Sequence, residues 1–129
     1  MVSRAASWRD DRGSATADFV MIAALVVVIA LALLQLVLAM HVRNTLLSSA
    51  QEGARHAAAA DRGVAEGAAR ALEVAAASIP GTRASAGADA TTVDGAPAVR
   101  VTMTAPVPML GWWGPVDVTV SARALEEEQ

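Results

Sequence analysis

Gly13, Ser14 and Asp18 are the residues of this 129-residue chain whose types and spacing point to chemistry at a defined place. Asp18 is the fifth residue after Gly13, and an uncharged apolar run begins at once with Phe19. A carboxylate at the start of a membrane helix is costly unless something compensates it. Cutting the chain after Gly13 would give Ser14 a free α-amino group, and that cation could pair with the Asp18 carboxylate of a neighbouring subunit. The acid would then dock packed helices onto one another, and the helix dipole also favours a negative side chain at this end. The plainer reading of Asp18 is a residue that marks the membrane boundary.

The element that must position these residues is the run Phe19–Met40. It holds 22 residues with no charge and one strongly polar side chain, Gln35. As a helix it would span about 33 Å, enough to cross a hydrocarbon core about 30 Å thick. A cleaved secretory signal has a shorter apolar region followed by a small-residue cleavage site. The A-x-A at Ala30–Ala32 lies inside the run and not after it, so the pattern predicts a membrane helix. Arg4, Arg9 and Arg12 precede it while Arg43, Arg55 and Arg62 follow, so the Arg balance decides no orientation.

Other chemistry finds little support. There is no Cys, which excludes a disulfide, a thiolate metal site and a cysteine nucleophile. His41 and His56 stand 15 residues apart with no further pair of ligands nearby, so neither a metal nor a cofactor is expected. No Ser or Thr sits with a His and a carboxylate in a nucleophile motif, and no Gly-rich phosphate loop occurs. The expectation is a protein without catalytic machinery or a small-molecule substrate. A net charge of −3 gives no argument for a nucleic-acid partner, and none is expected.

No proline interrupts Ser14 to Ile79, so helix is predicted to continue beyond the membrane. Leu46, Leu47, Ala50, Gly53, Ala54 and Ala57 share one face at helical spacing, opposite Glu52, Arg55 and His56. A break is expected near Asp61-Arg62-Gly63, giving one bent helix or two. A second stripe follows in Val64, Ala68, Ala71, Leu72, Ala75 and Ile79, with Glu66 and Arg70 at a favourable i, i+4 spacing. Beyond Pro80-Gly81 the period becomes that of strands. Val99, Val101, Met103 and Ala105 alternate with polar residues, as do Val116, Val118, Val120 and Ala122. A weaker strand is expected over Arg83–Val93, with Asp94-Gly95 as the turn after it. The fold class is therefore α+β: a long N-terminal transmembrane helix, an amphipathic helical region, and a small antiparallel sheet of about three strands. The domains read as a leader 1–13, a membrane helix 14–42, a helical region 43–80, a β region 81–125 and an acidic tail 126–129.

Three further groups are candidates for contact. Gln35 can hydrogen-bond a partner helix, or be satisfied by water or a polar cavity. The small residues Ala50, Gly53, Ala54 and Ala57 permit close approach of another backbone, with packing on the protein's own sheet as the favoured explanation. Trp112 and Trp113 sit in the Pro- and Gly-punctuated connection 106–115. They could form an adhesive or subunit-contact patch, though anchoring that loop on the β core is the simpler role.

The junction RGSATADFV resembles the class III signal of type IV-like prepilins, in which a prepilin peptidase cuts after Gly and an acid stands fifth in the mature chain. The fuller resemblance is to the TadE-like family of the tight-adherence (Flp) pilus system. It is carried by RGSATADFV, QLVLAMHVRNTLLSSAQEGARHAA and TAPVPMLGWWGP, and extends over most of Gly13–Leu125. The family commonly has Glu where this chain has Asp18, which keeps the charge one methylene shorter. The resemblance implies a minor pilin or pseudopilin. Its N-terminus would be cytoplasmic before processing and its C-terminal region would lie outside the cell membrane. Its partners would be the bilayer, a prepilin peptidase, other pilins and the Tad assembly machinery. An unprocessed, membrane-anchored interaction module of the envelope is the rival expectation.

Overall fold

The structure is a computed structural model that describes residues 10–59, 62–109, 111 and 114–126. The elements run α1 (Asp10–Ala58), α2 (Val64–Ser78), β1 (Ser85–Val93), β2 (Ala96–Val107) and β3 (Val116–Leu125). The chain divides into two compact units, Met1–Val37 and Leu38–Gln129. This is the α+β architecture expected, with an apolar N-terminal helix, a second helix and a three-stranded antiparallel sheet.

In the first unit the described residues form the apolar part of α1. Every side chain from Arg12 to Val37 except that of Gln35 is exposed, including Phe19 at 72% and Met21 at 70%. The Val26–Ile29 stretch is β-branched and has only modest helix propensity. In hydrocarbon, however, a helix is the one single-segment structure that satisfies its own backbone. This is the helix long and apolar enough to cross a membrane, with a mean hydropathy of 3.0 in its most apolar window. Helix begins at Asp10, ahead of Gly13, so it includes the last residues of the expected leader.

The second unit has a core of small side chains. Leu46, Ala50, Ala54 and Ala57 of α1 meet Ala71 and Ala75 of α2, and Val99, Val101, Met103, Ala105 and Val107 of β2. Leu46 and Met103 are the largest of the fully buried side chains. Ser49 is also fully buried, and its hydroxyl donates to the Thr45 carbonyl at 2.9 Å, so burial leaves no donor unmade. The helical region resolves into two helices. Gly63 is the N-cap of α2, in extended conformation, and its carbonyl accepts from the Glu66 N–H at 3.0 Å.

The helices approach at two glycines. A Cβ on Gly67 would lie 2.7 Å from the Ala57 Cβ and 2.8 Å from the Gly53 carbonyl oxygen. A Cβ on Gly53 would meet the Gly67 carbonyl oxygen and lie 2.8 Å from the Ala71 Cβ. This crossing redirects the surface charges. The expected Glu66–Arg70 pair does not form, because Glu52 of α1 comes within 3.9 Å of Arg70, which also reaches Glu73 at 3.1 Å. Glu66 instead lies 3.9 Å from Arg62.

The sheet order is β1-β2-β3, both pairs antiparallel. Asp94 and Gly95 join β1 to β2 with φ of 51° and 83°, the two positive values that a two-residue hairpin turn of the twist-matching kind requires. From Val99 to Val107 the odd-numbered residues of β2 face the core. On the other face Arg100 reaches Thr91 at 2.9 Å and Asp89 at 3.8 Å, and the Thr104 and Thr119 hydroxyls bond at 2.9 Å.

Candidate functional site at the start of the apolar helix

Gly13, Ser14 and Asp18 lie within the first turns of α1, all exposed. The space around a Cβ built on Gly13 is open to at least 4 Å. Thr16 donates its hydroxyl back to the Arg12 carbonyl at 3.0 Å, a local i−4 bond of the kind that competes slightly with the helix. Within the chain Asp18 has no ion pair among the described residues. Its carboxylate stands beside Phe19 on a helix whose following side chains are apolar and uncovered. The local geometry can therefore offer one thing, an accessible acid at the boundary between charged and apolar helix.

The family whose model matches this segment is described as TadE-like protein, and the match runs over residues 13–55. Residues 13–55 of this chain are similar to the TadE-like family. The matched stretch starts at Gly13 and takes in Asp18, the whole apolar run and the first buried turns of the folded unit. The likeness is thus to a pilus-associated structural family, and it falls on the helix that is long and apolar enough to cross a membrane. No curated protein and no solved structure matches the chain.

The remaining candidates fall in different places. Gln35 is half-buried. Ala50, Gly53, Ala54 and Ala57 are buried inside the second unit, where they pack with α2 and β2. Trp112 and Trp113 lie outside the described residues. His41 is exposed on α1, while His56 accepts from the Arg62 guanidinium through Nε2 at 2.9 Å. The Glu66 carboxylate lies 4.0 Å from the same nitrogen. Among the described residues no three His, Cys, Asp or Glu side chains gather as a metal site.

Sequence reasoning missed Gly67, the counterpart of Gly53. The available signal was Gly67, Ala71 and Ala75 at four-residue spacing, the small-residue pattern that lets helices approach closely. Glycine weakens a helix interior, which hid its use as a contact. Arg83 was also missed. It lines a groove with Leu38 and Val42 that no sequence period could assemble.

Proposed function

We propose that this protein is a minor pilin or pseudopilin of a Tad (Flp) pilus. A prepilin peptidase cuts it between Gly13 and Ser14, and the Asp18 carboxylate then pairs with the Ser14 amine of a neighbouring pilin. The observation that carries this reading is the coincidence of the TadE-like match with its chemistry: the matched stretch begins at Gly13 and holds the acid five residues on. Exposure supports it as well. The apolar part of α1 is covered by nothing in its own unit, so its partners are lipid before assembly and other helices after it. Cleavage needs the first turn of α1 to open. Helix ends open at little free-energy cost, and Gly13 has no tertiary contact to break. In the same reading the N-terminus is cytoplasmic and the C-terminal region lies on the other side of the cell membrane.

The N-terminal residue of the protein recovered from cells tests this. Ser14 is expected first, with Arg4, Arg9 and Arg12 lost in the removed segment. Recovery of only the full-length chain, in cells whose prepilin peptidase is active, would replace the pilin reading with that of an uncut, membrane-anchored module.

A further inference from the structure

Leu38 and Val42 of α1 share an apolar groove of about 370 Å³ with the turn after α2 and the end of β2. Its other walls are Pro80, Arg83, Pro106 and Pro108. The turn is set by Pro80 and by Gly81 at φ 81°, with the Thr82 N–H bonded to the Ile79 carbonyl at 3.2 Å. That is the arrangement of a type II turn, and it holds Arg83 at the groove.

The level of the groove follows from helix arithmetic. The apolar run ends at Met40. A hydrocarbon core about 30 Å thick takes about 20 helical residues, and the headgroup layer adds about 5–7 Å on each side. Leu38 therefore belongs to the last turn inside hydrocarbon. Val42 stands about 6 Å further along the helix, among the headgroups. The turn after α2 and the end of β2 line the groove beside these two side chains. Three of its walls are prolines, which have no N–H to satisfy, and that suits a layer where water thins and bare backbone donors are costly. Arg83 is exposed and has no ion pair among the described residues. A guanidinium is suited to bind phosphate through two parallel hydrogen bonds.

We propose that this groove seats a phospholipid of the leaflet next to the folded unit, its phosphate on Arg83 and its upper acyl chain against Leu38, Val42 and the prolines. The lipid then fixes the turn and the end of β2 against the membrane surface. The inference needs α1 to lie in a bilayer, and it does not rest on cleavage or on assembly into a pilus.

The chain has no Cys, so one introduced thiol reports from one place. The full chain carrying Pro108→Cys is labelled with a fluorophore and placed in phosphatidylglycerol–phosphatidylcholine vesicles. Some of the lipids carry a nitroxide on the first carbons of the acyl chain. Strong quenching is expected at position 108, and weak quenching for a label at Ser121→Cys, an exposed position on the polar face of the sheet. A label at Met109→Cys repeats the first measurement without removing a proline. Adding Arg83→Glu should weaken the lipid association about fivefold or more, the share of one basic residue at an anionic surface, while Arg83→Lys retains most of it. Equal quenching at 108 and 121, or no response to Arg83→Glu, overturns the proposal. Quenching that falls as the protein-to-lipid ratio rises also overturns it, because a second copy then fills the groove.

Discussion

Residues on the two sides of Leu38 belong to one helix, α1, yet they meet different surroundings. From Phe19 to Val37 the large side chains Leu, Val, Ile, Met and Phe are exposed, each at least 44% open. From Val42 onward the chain becomes poorer in large apolar side chains, and several of them are buried, down to 0% for Leu46, Val99, Val101 and Met103. The hydrophobic region thus has no core, while the region of alanines and glycines has one. Burial within the chain depends on whether the apolar residues leave a polar face. A helix that is apolar all round can be satisfied only by lipid or by other helices, whereas an apolar stripe can be covered by one neighbouring element. The second region can use alanine and glycine because its backbones approach closely, so that dispersion between tightly packed small groups replaces bulk.

Substitutions on the two sides should therefore fail in different assays, and the largest effect belongs to assembly. In the pilin reading, Asp18→Asn removes one member of a buried ion pair between subunits, a loss of about 3–5 kcal/mol. Membrane insertion should survive, while pilus production and co-purification of partner pilins collapse. Normal piliation at equal membrane levels would leave Asp18 as a boundary residue. Asp18→Glu should preserve function.

Leu46→Ala should destabilise the folded unit by about 2–5 kcal/mol, because the cavity it leaves is lined by a core with few large side chains to collapse into it. Chemical denaturation of the full chain in detergent micelles, followed by the β-sheet signal, reads this. Val27→Asp should do the reverse: it adds about 2.5–3.5 kcal/mol to membrane insertion and leaves that denaturation midpoint unmoved. A midpoint that follows Val27→Asp would mean that the two regions do not behave independently.

Gly67→Ala should cost about 1–3 kcal/mol. Its new methyl group meets the Gly53 carbonyl and the Ala57 side chain, and the carbonyl is backbone that cannot turn aside. Neutral behaviour in the same denaturation assay would refute the close helix crossing. The smallest effect is expected from Val27→Ala, within about 0.5 kcal/mol of wild type for the folded unit, because the side chain it trims has no partner there.

Much of the architecture was legible because it depends on local pattern. The apolar run, the break at Gly63, the alternation in β2 and β3, and the Asp94-Gly95 turn each rest on a few neighbouring residues and one period. The weak Arg83–Val93 strand emerged as Ser85–Val93, with its register against β2 set by that turn. At the candidate site, Gly13, Ser14 and Asp18 stand out because glycine, acid and apolar helix follow one another within seven residues. The roles of Ala50, Gly53, Ala54 and Ala57 were only half legible, since a stripe of small residues says that something approaches and not what.

The sequence by itself determined that an uncharged helix long enough for a bilayer begins beside an acid, and that a small sheet follows two amphipathic helical stretches. Hydrophobicity, helical rise and strand alternation are properties of consecutive residues, and they act before any long-range contact forms. Only the tertiary structure decided that Gly53 meets Gly67, that Arg70 turns to Glu52 and Glu73 instead of Glu66, and that Arg83 shares a groove with Leu38. Apart from Arg70–Glu73, neighbours on α2, these joinings connect residues 14 to 45 positions apart. They depend on how closely two backbones can pack and on where a turn places one guanidinium, which no period within a single element records.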